Sequence, residues 1–346
     1  VGVFDGNGAS PVCVIETLEA LKIDSGICPR AISAVDVMKG ELDNLDVIIF
    51  PGGSGSQELN NLGTLGADKV RAFGKQKNKG VVGICAGGYL LSSTVGYPNL
   101  RMVPIIHIRD HYDRGRGLIC FSQTKVGDEV FPENKTFKNL YYQYYDGPVY
   151  ESLSDTSSIV VYARINTDIS VKEGDPKGVS PGKPAILSYN YGQGKIFISI
   201  GHPEATHGMR WLVPRLARLA ANKPIISYDP RLVKPDSYAK ELLFNSDLIT
   251  YEKNLFWKLA DENSDTIIQA LNRLEELHSR PSIRWAIGLL RHHDARIRLK
   301  AADYLVFTEY TYALPDLAQA IADEKDPQTL NKMKAYYKQL KEYINE

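Results

Sequence analysis

Two short runs constrain the fold most. "LDVIIF" at 45–50 and "GVVGI" at 80–84 are apolar almost without a break, and each ends at a glycine-containing turn. Strands buried on both faces read this way, because helices cover the sheet above and below. From residue 1 to about 222, such β-branched runs alternate with helical patterns, which predicts a layered, doubly wound α/β domain of flavodoxin-like type around a largely parallel sheet. "VGVFDG" is the expected first strand. Ser10 and Pro11 open an expected helix, "SPVCVIETLEALK", as N-cap and first-turn proline. Later, "IVVYARI" reads as a strand, and "AILSYNY" and "KIFISI" as a hairpin joined by a glycine turn. "VPIIHIRDHYD" also starts like a strand.

At 346 residues, the chain is long enough for about two domains. Residues 223–238 carry three prolines without a clear period and read as a linker. From 239 to 346 one helical pattern follows another: "DTIIQALNRLEELH", "PSIRWAIGLLRHH", "ARIRLKAADYLVFT" and "LPDLAQAIAD". The 41 basic residues balance 41 acidic ones, so no overall field attracts nucleic acid. No apolar run is long enough to span a bilayer. The chain opens at Val1, already inside a strand pattern, which leads us to expect that an upstream segment was removed. A soluble protein results, exported to the periplasm if that segment was a leader and cytoplasmic otherwise; the compartment stays open. Four cysteines (Cys13, Cys28, Cys85 and Cys120) form no metal-ligand spacing, so neither metal nor cofactor is expected.

Chemistry concentrates at Gly83-Ile84-Cys85-Ala86-Gly87, a nucleophile-elbow layout with cysteine in place of serine. A side chain on so sharp a strand-to-helix turn needs small neighbours two positions away on either side. The helix that follows would aim its free N–H groups and positive dipole end at the sulfur, favouring the thiolate. A small cysteine packed beside a tight turn fits the same five residues. The strand "KIFISI" runs on to Gly201-His202-Pro203-Glu204. If the chain stays extended there, Glu204 projects to the same side as His202 and can orient its ring, leaving the other nitrogen for the cysteine proton. A surface turn fits these residues as well. Pro51-Gly52-Gly53-Ser54-Gly55 follows the buried strand, and the amides of Gly53 and Ala86 could form an oxyanion hole.

Together these three elements resemble the class I glutamine amidotransferase-like superfamily over residues 1 to about 222. The resemblance implies Cys85 as nucleophile, His202 as general base, Glu204 as its orienter, and Gly53 and Ala86 at the oxyanion. Within that superfamily, "FDGNGAS", "FPGGSG", "GICAGGYLL" and "YYQYYDGPVY" are most similar to the N-terminal-like domain of biotin-protein ligases and its stand-alone bacterial homologues. No ligase activity follows, since the helical third offers no biotin-adenylating pattern; the R-G-R-G turn within "DRGRGLICF" is read as an exposed loop. Asn7, Gly52, Ser54, Tyr89 and Tyr145 are the expected substrate-binding positions. Tyr89 stands where glutaminase domains usually carry glutamine, which disfavours ammonia donation and leaves a hydrolase acting on an amide, peptide or ester. The competing reading is a non-catalytic module that binds a small molecule or protein, and a redox-sensing cysteine ranks behind both. The C-terminal third resembles HEAT-type helical repeats, which implies a docking surface for a protein partner or substrate. His107 and His111 have the spacing of a metal pair but sit on a strand-like run. Tyr141, Tyr142, Tyr144 and Tyr145 suit an edge strand, with Tyr144 or Tyr145 at the pocket rim. His292 and His293 belong to a solvated helix face.

Overall fold

The computed structural model describes residues 1–109, 115–151, 158–171 and 174–344. The chain divides into two compact units, Val1–Leu243 and Phe244–Glu346.

The first unit is built on ten strands: β1 (Gly2–Phe4), β2 (Arg30–Ile32), β3 (Val47–Phe50), β4 (Gly80–Ile84), β5 (Arg116–Gln123), β6 (Leu140–Tyr145), β7 (Ile159–Ile165), β8 (Pro184–Tyr191), β9 (Gly194–Ser199) and β10 (Leu242–Leu243). They form one sheet in the order β10-β5-β7-β8-β9-β4-β3-β1-β2, with β6 branching from β5. From β2 to β9 every pair is parallel, and beyond β9 every pair is antiparallel. Counted along the chain, the parallel strands stand in the order 2-1-3-4-5 of flavodoxin-like sheets, so the fold is doubly wound α/β. Helices α1 (Pro11–Leu21), α2 (Ala34–Lys39), α3 (Gly55–Gly74) and α4 (Ala86–Leu91) connect or follow its strands; α5 (Lys125–Val130) packs on β7, and α6 (Leu212–Ala220) follows β9. α1 packs with α6, and α3 with α2 and α4. Between them, Val47 to Phe50 and Ile196 to Ile198 have no solvent exposure, as the unbroken apolar runs require.

Several expectations change in detail. Ser10 occupies the N-cap of α1 with extended dihedrals, but its side chain makes no cap bond. Residues 103–109 form no strand; there His107 pairs with Tyr150 in an isolated bridge, and His111 lies outside the described residues. Residues 223–243, divided in the sequence reading between a linker and the start of the helical part, pack on the α/β unit. Arg215 donates to the Ile226 carbonyl (2.6 Å), Tyr228 to Asp24 (3.4 Å) and Tyr141 to the Ala239 carbonyl (3.1 Å), while β10 closes the sheet edge on β5.

The second unit is helical: α7 (Ser246–Lys258), α8 (Ser264–Glu276), α9 (Ile283–Leu289), α10 (Ala295–Phe307), α11 (Leu314–Asp323) and α12 (Pro327–Lys341). Asn245, Asn263, Asp294 and Asp326 cap four of the six through side-chain bonds to first-turn amides. α10 packs against α8, α9 and α12, burying Ile297, Ala301 and Leu305 completely. His292 and His293 lie past the end of α9 in the turn before α10, not on a helix, because α9 already stops at its C-cap, Leu290. Among the described residues of the chain, no helix is long and apolar enough to cross a membrane.

Candidate active site

The carboxyl ends of β1, β3, β4 and β9 meet at one edge of the parallel sheet, where open α/β folds gather ligands. Cys85 sits between β4 and α4 with φ 49° and ψ −103°, outside the regions a non-glycine residue ordinarily adopts. Its amide still donates to the Ser199 carbonyl (2.9 Å), so the β4–β9 pairing runs to the foot of the turn. A Cβ on Gly83 would lie 2.7 Å from the carbonyl carbon and oxygen of Gly87, and one on Gly87 would collide with the Phe50 carbonyl. The paired glycines therefore let the chain fold back on itself at the sulfur.

His202 and Glu204 come together, though by a different backbone from the one expected. The chain is not extended after β9; Pro203–Ala205 forms a 3-10 turn, whose Ala205 amide and Thr206 hydroxyl bond the His202 carbonyl (3.2 and 2.6 Å). Proline restricts the backbone and favours such a first turn. Within it, His202 Nδ1 lies 2.7 Å from Glu204 Oε1, and Glu204 is wholly buried. Burial works to lower the imidazole's basicity. The charges of Cys85 and Glu204, with hydrogen bonds to Cys13 and Cys85, outweigh it and hold His202 well above its ordinary value. With Nδ1 engaged by Glu204, Nε2 is the nitrogen left for the Cys85 sulfur. The thiol itself donates to the Tyr145 carbonyl (3.3 Å) and is 5% exposed.

The loop after β3 touches both halves of this arrangement. A Cβ on Gly52 would lie 2.6 Å from His202 Cε1, and one on Gly55 would lie 2.7 Å from the Ala86 carbonyl oxygen. Gly53 has φ 148° and stands opposite Ala9 in a bridge closed by its neighbours, Ser10 to Gly52 (2.8 Å) and Ser54 to Gly8 (2.7 Å). Its own amide takes no part in that bridge. Ala86 opens α4, where an amide has no carbonyl four residues back to bond within the helix.

The expected substrate-binding residues are more scattered. Gly52 is buried against His202, whereas Asn7 is exposed and its amide donates to Asn61 Oδ1 (2.9 Å). Ser54 precedes α3, with its hydroxyl 3.3 Å from that of Ser56. The Tyr89 hydroxyl donates to the Asp146 carbonyl (3.0 Å), and its ring meets His107 edge-on. Tyr145 is 59% exposed, so its ring stays at the surface while its carbonyl reaches Cys85. Tyr144 is core, not rim; its hydroxyl donates to the Gly147 carbonyl (2.6 Å).

Two neighbours escaped the sequence reading. Cys13, in the first turn of α1, has its Sγ 4.0 Å from His202 Nδ1. A signal was available, because the first turn of a helix following β1 lies at the sheet's carboxyl end. Gln143 was also missed: its carbonyl accepts from the His202 amide (2.7 Å), joining β6 to the site.

No family model matches the chain, and no curated protein matches it. Among solved structures it is similar to a glutamine amidotransferase at 20% identity, over 64% of this chain and 100% of that chain, with a TM-score of 0.45. It is similar to a ThuA-like protein from Parabacteroides merdae at 12% identity, over 67% and 99% of the two chains, with a TM-score of 0.45. The glutaminase domain of Trypanosoma brucei CTPS with bound acivicin is similar at 10% identity, over 67% and 97%, with a TM-score of 0.44.

Proposed function

We propose that the chain is a cysteine-dependent amidohydrolase or acyl hydrolase of the class I glutamine amidotransferase-like type, with a first unit like the N-terminal-like domain of biotin-protein ligases. The observation that carries this reading is the His202–Glu204 pair at 2.7 Å, its imidazole held basic by Cys85 and Glu204. In the reaction, the Cys85 thiol leaves the Tyr145 carbonyl and gives its proton to His202 Nε2, while Glu204 keeps the Nδ1 proton in place. The sulfur adds to an amide or ester carbonyl, and the amides of Gly53 and Ala86 hold the oxyanion. His202 then protonates the leaving amine or alcohol, and water, deprotonated by the same nitrogen, releases the acid from the thioester. We assign substrate contacts to Gly52, Ser54, Asn7, Tyr89 and Tyr145, of which Gly52 packs on His202 and Tyr145 carries the carbonyl that holds the Cys85 thiol. The helical unit, with its resemblance to HEAT-type repeats, docks a macromolecular substrate or partner.

A second reading has its own support. Cys85 is 5% exposed and already bonded to a carbonyl, as suits a module that binds without turnover. Activated aryl esters and anilides with acyl groups of increasing size separate the two. An acyl adduct on Cys85 in the intact mass, absent from Cys85→Ser and slowed by about 100-fold or more in His202→Gln, is the expected result. Unmodified Cys85 across the whole series contradicts the hydrolase.

A further inference from the structure

The first turn of α1 and the turn after β9 bring three metal-ligating side chains to one point. Cys13 Sγ, His202 Nδ1 and a carboxylate oxygen of Glu204 all lie within 4.8 Å of one another. Two observations besides the clustering point to a ligand. Glu204 has no solvent exposure, and while Oε1 bonds the imidazole, Oε2 is buried without a hydrogen-bond partner among the described residues. In addition, the space beside the sulfur exists only because residue 52 has no side chain: a Cβ there would lie 2.8 Å from Cys13 Sγ and 2.6 Å from His202 Cε1.

We propose that Cys13, His202 and Glu204 bind a thiophilic, zinc-like divalent cation that switches the His202–Glu204 pair off. One thiolate, one imidazole and one carboxylate are a donor set that selects zinc-like ions over magnesium or calcium. Tetrahedral zinc bonds of about 2.0–2.3 Å place such donors roughly 3.4–3.6 Å apart. The observed Sγ to Nδ1 distance of 4.0 Å closes by a small rotation of Cys13, and the Nδ1 to Oε1 distance of 2.7 Å opens as the ion enters. Cys13 is only half-buried, which gives the ion a way in.

The consequence follows from the ring's two nitrogens. The ion displaces the proton that Nδ1 shares with Glu204. A neutral imidazole with metal on Nδ1 carries its remaining proton on Nε2, so it becomes a donor there and cannot accept the Cys85 proton. Binding needs only the three donors; loss of hydrolysis on binding rests on the function proposed above.

Cobalt(II) serves as the probe, in a Cys28→Ser background that removes the exposed thiol. The expected result is one bound ion with a near-ultraviolet thiolate-to-cobalt charge-transfer band. That band disappears in Cys13→Ser and Cys13→Ala and persists in Cys85→Ser, and Glu204→Gln weakens binding by more than about tenfold. A band that survives Cys13→Ser, is lost in Cys85→Ser, or never forms overturns the proposal. X-ray absorption of the zinc-loaded Cys28→Ser protein checks the same point without altering the site. One sulfur in the first shell supports it, and none overturns it. These readouts do not depend on turnover, so the metal site can fail while Cys85 still acylates, and the hydrolase can fail while cobalt still binds.

Discussion

Cys85 holds a backbone conformation that costs a non-glycine residue about 1–3 kcal/mol, and the surrounding sheet supplies what keeps it there. Gly83 and Gly87 were legible as a pair because their spacing around a cysteine has a steric meaning; Cys13 could be placed at the sheet's carboxyl end from its position in the first turn after β1, but no motif around it names His202, 189 residues away, as its neighbour. Two buried residues make a prediction about pH. Burial alone pushes the Glu58 carboxyl well above the usual carboxylate range, and among the described residues neither of its oxygens has a hydrogen-bond partner. His202 is raised by Cys85 and Glu204 against its burial. For both groups the folded state favours the protonated form. Their contributions to stability are therefore complete below the unfolded values, about 4.3 and 6.5, and are lost as pH rises through the raised folded ones. Denaturant melts across pH should show the decline in stability flattened above about pH 4.3 in Glu58→Gln and above about pH 6.5 in His202→Gln. An unchanged slope in both variants contradicts the assignment.

At the scale of elements, the site-bearing half of the sheet was readable from sequence. "GVVGI" is β4 residue for residue, and the Gly192 turn does join β8 and β9 as a hairpin. β4 is buried along its whole length and β9 at every residue but Lys195, so composition alone marks them. The antiparallel half was less readable. The branch of β6 from β5, the β10 closure and the 3-10 turn after His202 depend on partners distant in sequence, such as the bridge between Gln143 and His202. The elbow predicts its own sensitivity. Gly83→Ala places a methyl against the Gly87 backbone and should cost roughly 1–3 kcal/mol in urea unfolding, whereas Gly63→Ala should leave the elbow's chemistry untouched. A neutral Gly83→Ala contradicts the close approach.

For the molecule as a whole, the proposed chemistry falls within residues 1–243, and the segment most easily taken for a connector belongs to that unit. Tyr228 and Leu232 are 7% and 4% exposed, and β10 covers an edge of the sheet. A fragment of residues 1–243 should unfold cooperatively. One ending at 222 should be less stable by roughly 3 kcal/mol or more, from the apolar surface it uncovers; equal stabilities contradict the packing described for 223–243. The central claim is that His202 and Glu204 activate the sulfur at the elbow. It is tested most directly by the rate at which iodoacetamide alkylates Cys85 in the full chain at neutral pH, followed by mass spectrometry in wild type and His202→Gln. The account predicts labelling of Cys85 faster than that of the exposed Cys28, with the difference abolished in His202→Gln. Labelling of Cys85 that is slow and indifferent to His202 contradicts it.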